Sequence, residues 1–355
     1  MYVHIPFCAK RCDYCAFATW TGKEQLFEQY TDAVIREIER SRVDTPAATS
    51  VFFGGGTPSL LPAELLMSIL DRIDRRSDCE ITVECNPDTV SGELFDTYVR
   101  HGVNRVSFGV QSMVPHVLRS LGRTHNPQNV HTAVAQARAA GVLFNVDLIY
   151  GAVGESVDDW TSTVEAVVRL DPGHVSAYAL TVEPNTPLAD DASRHPDDDD
   201  EAEKYAGIEE ILGRNGYANY EISNWATEGN ESRHNLLYWA QGDYRGFGCA
   251  AHSHSDGRRF WNVRTPERFI ELVADTGVAE SASETLDRDT RELEALQLAL
   301  RTRSGVPRTA LSEPDVASFL EAGLITVTDR SIVLTASGRM MANAVAVRLR
   351  TDGDR

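Results

Sequence analysis

Residues 2–15 read YVHIPFCAKRCDYC, a short apolar run closed by Pro6 and followed by a loop carrying Cys8, Cys12 and Cys15. The run predicts a strand over Tyr2–Pro6, so the three thiols follow its C-terminal end. The same arrangement recurs along the chain. Apolar, β-rich runs at Ser50–Gly54, Glu80–Cys85, Arg105–Gln111, Asn145–Tyr150 and Val175–Val182 predict five more strands. Between them Gln25–Arg42, Pro62–Arg75, Gly92–Gly102, Gln128–Gly141 and Val157–Leu170 have helical amphipathic spacing. Alternation of this kind implies parallel pairing with helices outside, an α/β fold. Unusual residues collect where strands end: Gly54 to Pro58, Glu84 and Asn86, Gln111, Asp147, Tyr178. In β/α barrels and open parallel sheets that edge carries the active site.

Intervals of four and three residues span at most roughly 14 and 11 Å, so one curled loop brings the three thiols to the corners of a single iron–sulfur cluster. Zinc would ask for a fourth ligand, and the nearest candidate is His4. Three cysteines on a four-iron cube leave one iron open to the amino and carboxylate groups of an amino-acid-like cofactor. Cys79, Cys85 and Cys249 lie in apolar contexts and read as buried thiols.

The C-x3-C-x2-C loop, the GGGTPS run at 54–59 and the GVQS run at 109–112 together resemble the radical S-adenosylmethionine (SAM) superfamily. Within it the chain is similar to the branch of oxygen-independent coproporphyrinogen III oxidases and HemW-type heme chaperones. The resemblance implies a partial (β/α)6 radical SAM barrel, a [4Fe-4S] cluster on Cys8, Cys12 and Cys15, and SAM lined by Tyr2, Tyr14, Gly55, Gly56 and Thr57. It also implies a role for Glu84 at the ribose hydroxyls, and nucleoside or second-cofactor contacts from Gln111, Arg123 and Asp147. The oxidases carry a further cysteine two residues after the third, where this chain has Phe17, and an extension ahead of the first motif, whereas this chain starts one residue before it. The run HNLLYW at 234–239 matches the H-N-x-x-Y-W motif of the chaperones and makes His234 the candidate heme ligand, with Tyr238 and Trp239 against the macrocycle. His252 and His254, in the GFGCAAHSH run, face one side of an extended segment and are weaker candidates for metal or heme.

Two functions follow from the resemblance. The first is a heme chaperone that binds heme and passes it to an acceptor protein. The alternative is an oxygen-independent coproporphyrinogen III oxidase of heme biosynthesis, in which an electron donor reduces the cluster, SAM is cleaved to a 5′-deoxyadenosyl radical, and porphyrinogen propionates are decarboxylated.

At 355 residues the chain accommodates one large α/β domain and a smaller one. The expected division is 1–190 for the partial barrel, 191–285 for a barrel extension with a heme- or porphyrin-associated segment, and 286–355 for a C-terminal α+β winged-helix-like module. The run DDASRHPDDDDEAE at 190–203 reads as a solvated connection into a helix from Glu203 to Asn215. Winged helices often bind DNA, but residues 286–355 hold ten Arg against ten Asp and Glu, so a scaffold or lid role is expected. No stretch of about 18 apolar residues or secretory h-region occurs, which predicts a cytoplasmic protein without stable membrane insertion.

Thirty-four Lys and Arg against 53 Asp and Glu leave a formal net charge of −19, which repels nucleic acid and anionic lipid. Only Lys10, Lys23 and Lys204 are lysines. Such an acid-rich, lysine-poor surface suits a salt-rich cytoplasm. The melting temperature is therefore expected to rise with potassium chloride; a flat profile from low to molar salt would remove the halophilic reading.

Overall fold

The computed structural model describes residues 1–123 and 126–351. Six parallel strands form its centre: β1 (Tyr2–Ile5), β2 (Ala48–Gly55), β3 (Arg75–Cys85), β4 (Arg105–Gln111), β5 (Leu143–Tyr150) and β6 (His174–Ala179). Their spatial order is their sequence order, without the reversal of a doubly wound sheet. Every crossover therefore runs in one direction, all helices fall on one face, and the other face is left as the inside of a barrel arc.

The helices are α1 (Phe27–Ser41), α2 (Ala63–Leu70), α3 (Gly92–Arg100), α4 (Pro115–Ser120), α5 (Pro127–Ala139) and α6 (Val157–Arg169). In α1 Tyr30, Val34 and Ile38 recur at intervals of four, and all three are buried against the sheet. A capping box starts α6: the Asp159 N–H donates to Ser156 Oγ at 3.1 Å, and the Ser156 N–H donates to Asp159 Oδ2 at 2.9 Å. The outward face of the sheet is apolar, with Val51, Phe53, Ile81, Val83, Val106, Phe108, Val146, Leu148, Val175 and Ala177 all in the core. Each fully buried large side chain of this kind contributes about 1.5–3 kcal/mol.

The strand and helix pattern of the first 180 residues matches the expected one, with β3 beginning five residues early and α4 added. One reading is corrected. The acidic run is not a loop before a helix from Glu203, because α7 (Asp198–Arg214) begins inside it. Asp197 caps the helix, accepting from the Asp199 and Asp200 N–H groups, and Asp198 to Glu201 lie where the helix dipole favours negative charge.

Beyond the six strands the sheet gains the hairpin of β7 (Ala218–Glu221) and β8 (Asn224–Ala226), of which β8 pairs antiparallel with β6, then α8 (Arg233–Trp239) and β9 (Gly246–Phe247), parallel to β1 at the opposite edge. A second sheet follows, with β10 (His252–Ser255), β11 (Arg258–Asn262), α9 (Pro266–Asp275) and β12 (Glu280–Thr285). β7, β8 and β9 thus lengthen the large sheet at both edges, while β10, β11 and β12 form a sheet of their own.

The C-terminal module contains α10 (Arg288–Leu300), β13 (Val306–Pro307), α11 (Glu313–Glu321), β14 (Ile325–Val327) and β15 (Ser331–Leu334), followed by two short helices. The antiparallel β14–β15 wing is the expected one, and β13 adds a third strand. The module lies along the edge strand β7. Glu221 bridges antiparallel to Thr302, the Arg303 N–H donates to Tyr220 O at 3.0 Å, and Arg339 pairs with Glu209 while its Nε donates to Tyr205 OH at 2.7 Å.

Lys204 on α7 has no exposed surface, and its Nζ donates to Asp200 Oδ2 at 2.6 Å and Glu155 O at 2.8 Å, with Glu155 Oε2 at 3.3 Å. Burial holds the Glu155 carboxyl above its usual pKa even beside this cation. Lys204→Met leaves that carboxylate unpaired and is expected to cost about 3–5 kcal/mol in urea unfolding, whereas adding Glu155→Gln restores much of it. Equal losses from the single and double variants would show that the pair is not the source.

Candidate functional site

The inner face of the arc alternates polar residues against the apolar outer one, and these line one cavity of about 610 Å³ that runs along the inside of the arc to the loops at the carboxyl ends of the strands. Its walls take Glu84 from β3, Ser107, Gly109 and Gln111 from β4, Asn145 and Asp147 from β5, and His174, Ser176 and Tyr178 from β6. The spacing of two is the pleat of each strand. The volume lies within the range of about 300–1,000 Å³ common to cofactor and substrate pockets.

Cys8, Cys12 and Cys15 line the mouth of this cavity, partly exposed and free of disulfides. The Cys8 N–H donates to Trp20 O at 3.0 Å and the Cys15 N–H to Cys12 O at 3.2 Å, which curl the loop back on itself. Thr57 Oγ1 lies 3.6 Å from Cys8 Sγ, and Arg123 holds one nitrogen 3.6 Å from Cys12 Sγ and donates another to Gly109 O at 2.6 Å. Burial pushes the Cys8 and Cys15 thiols above their usual pKa, so a bound metal has to displace their protons. Tyr14 lies beside them, its phenol raised by burial and then by Cys12.

Gly55, Gly56 and Thr57 also line the cavity. Gly55 has φ +110°, and a Cβ there would fall 2.4 Å from the His4 ring; a Cβ on Gly56 would fall 2.6 Å from Phe7 O. No side chain fits, and the backbone itself becomes the floor of the site. The Gly55 N–H donates to Glu84 Oε2 at 3.0 Å, while Ser107 Oγ donates to Asp147 Oδ2 at 2.7 Å. The cavity admits water but is walled by protein, so withdrawal from bulk solvent, with Asp147 adding like charge, raises the Glu84 carboxyl to about 8. Asp147 is raised by burial and lowered in part by Ser107 and Ser176.

Ten of the expected residues, Cys8, Cys12, Tyr14, Cys15, Gly55, Gly56, Thr57, Glu84, Arg123 and Asp147, gather here, as does Gln111, held at φ +65°. Tyr2 does not line this cavity. It faces a neighbouring one, with its hydroxyl 3.0 Å from His4 Nδ1, although a Cβ on Gly54 would touch both Tyr2 and Glu84 at 3.1 Å. His234, expected as a heme ligand, lies outside this cavity. It is buried on α8, stacked at 5.1 Å on Phe52, with Nδ1 2.8 Å from Ser50 Oγ and Nε2 2.9 Å from Tyr238 OH. Both ring nitrogens thus have hydroxyl partners in the ligand-free protein. His254 is likewise engaged, with Nδ1 3.1 Å from Gly242 O and Nε2 accepting from the Gly257 N–H at 3.2 Å. Ser107, Asn145, His174 and Ser176 were not anticipated; polar residues at alternate positions of otherwise apolar strands are the signal that marks them.

The radical SAM superfamily model matches residues 2–167. The chain is 39% identical to the heme chaperone HemW of Mycobacterium tuberculosis, over 97% of this chain and 93% of that protein. The chain belongs to the HemW family of radical SAM proteins. Heme chaperone HemW of Bacillus subtilis is 34% identical, with 97% of each chain covered, and that of Escherichia coli is 32% identical over 97% of this chain and 96% of its own length. The structure also superposes on coproporphyrinogen III oxidase (HemN) of Escherichia coli with a TM-score of 0.85, at 23% identity, covering 98% of this chain and 88% of that one. This last likeness establishes the shared fold.

The residues present fit the groups that radical SAM membership implies. Among the described residues no cluster is drawn around the volume of a single ion, and a four-iron cube does not ask for one, since each thiolate binds a different iron. The glycine floor offers the close approach that a small cofactor needs.

Because Glu84 has a raised carboxyl pKa in the native state, it favours the folded form most fully below its ordinary value of 4.5 and loses that contribution as pH rises through about 8. In ligand-free protein, Glu84→Gln is therefore expected to gain stability relative to the parent between those limits and to run parallel above them. Parallel denaturation curves across the whole range would refute the shift.

Proposed function

We propose that this protein is a heme chaperone that holds a [4Fe-4S] cluster on Cys8, Cys12 and Cys15, binds SAM in the adjoining cavity, and carries heme to an acceptor protein. The carrying observation is that the three-thiol loop and the glycine floor open on one cavity in a chain that follows the HemW chaperones along 97% of its length. When bound, the cluster supplies one-electron chemistry and an open iron for the methionyl amine and carboxylate of SAM. Gly55 and Gly56 give the ligand access to the backbone, Glu84 offers its carboxyl oxygens to ribose hydroxyls, and Arg123 brackets the loop through Cys12. Phe17, more than half exposed where the oxidases have a further cysteine, favours the chaperone over the oxidase. The protein is expected to act in the cytoplasm; no helix among the described residues is long and apolar enough to cross a membrane.

Anaerobically reconstituted protein is expected to take up heme stoichiometrically and to leave coproporphyrinogen III unconverted, with Cys12→Ala losing its iron–sulfur absorbance. Conversion to protoporphyrinogen without heme uptake would assign the oxidase activity instead.

A further inference from the structure

A second cavity, of about 570 Å³, lies on the far side of the cluster loop and shares Ala16 and Phe17 with the first. Its walls are aromatic. Tyr238 and Tyr244 meet edge to face at 4.7 Å, and Trp261 closes the other side. A Tyr238 hydroxyl tethered to His234 fixes one wall, which gives the H-N-x-x-Y-W run a structural part in this cavity.

Four histidines lie in or beside it, and three are spoken for. His4 bonds Tyr2 OH and Ala18 O, and His234 and His254 are engaged through both nitrogens. His252, on β10, is exposed to the cavity, and its imidazole makes no hydrogen bond among the described residues. Its ring stacks on Trp261, its partner across β11, at 5.4 Å and 22°. This contact braces the imidazole face and leaves its nitrogen edge free. A Cβ on Gly246 would fall 2.1 Å from His252 O, so the glycine permits β9 to seat the strand that carries this histidine. Partial burial lowers the His252 pKa and keeps the ring neutral, the ligating form. At the rim, Arg264 is exposed and without an ion pair among the described residues, in a chain where acids outnumber bases by 19.

We propose that this cavity is the heme seat, with His252 as the axial ligand to iron and Arg264 as the partner of a propionate. A neutral imidazole, flat aromatic walls and one unpaired guanidinium match an iron-bearing planar macrocycle that carries carboxylates. The SAM cavity has no such combination: its histidine, His174, is buried with Nε2 2.7 Å from Tyr220 OH. The assignment rests on the heme-chaperone reading and specifies where on the chain the cargo sits.

The test is titration of full-length protein with ferric heme, followed by the Soret band. His252→Gly is expected to lose the imidazole-ligated spectrum and at least about tenfold in affinity, since even groups that only orient a metal ligand are worth about 10–100-fold. Added imidazole should restore the spectrum in that variant and leave the parent unchanged, a rescue that a folding defect would not show. Arg264→Glu should weaken binding several-fold while the spectrum stays that of an imidazole complex. If the parent takes up heme and His252→Gly retains its spectrum and affinity, the location is wrong while the chaperone reading stands; absence of uptake by the parent overturns both.

Discussion

Three successive glycines at the end of β2 set the distance between the first two strands and everything built on them. Without a Cβ at Gly55, His4 packs directly over the backbone, and without one at Gly56 the Phe7 carbonyl comes close enough to receive the Thr57 N–H at 2.8 Å. The cysteine loop starts one residue beyond Phe7. Any side chain at these positions would lift that loop off the sheet and separate the thiols from Glu84, which the Gly55 N–H holds. The constraint is steric, and its result is chemical: thiols, backbone amide and carboxyl share one opening.

The interior polarity of the arc comes at a cost in stability. Glu84 and Asp147 face the same cavity, each raised above the ordinary carboxyl range by loss of water. A ligand bearing hydroxyls or positive charge relieves that cost, so the site is preorganised for an occupant and is less favourable without one. The neighbouring cavity has a different character, with rings, a neutral imidazole and a single guanidinium. Ala16 and Phe17 line both chambers, and the chain turns there from thiol chemistry to aromatic packing.

Much of the barrel and of its site was legible because its signals are local. Alternation and strand-end glycines need no knowledge of partners, and the C-x3-C-x2-C spacing carries its chemistry within eight residues. What escaped depends on contacts distant in sequence. β9 is two residues long and is a strand only because β1 lies beside it; the hairpin of β7 and β8 exists by pairing with β6. The sense of the Asp197 to Glu201 run changed for a related reason, since an acidic stretch reads as solvated until the helix dipole behind it is known. His234 and His252 show the same limit: both are plausible ligands in sequence, and only the fold reveals that the first has a hydrogen-bond partner in Ser50, 184 residues away.

The pairing of Glu221 with Thr302 and of Arg303 with Tyr220 has a consequence for the chain's solubility. β7 ends the large sheet, and an uncovered row of amides there is a template on which another molecule can add its own strand. The C-terminal module covers that row, and the Arg339 latch to Glu209 holds it in place. A chain cut before α10 would present a sticky margin, so the module works as a selvedge that keeps the woven sheet from joining its neighbours.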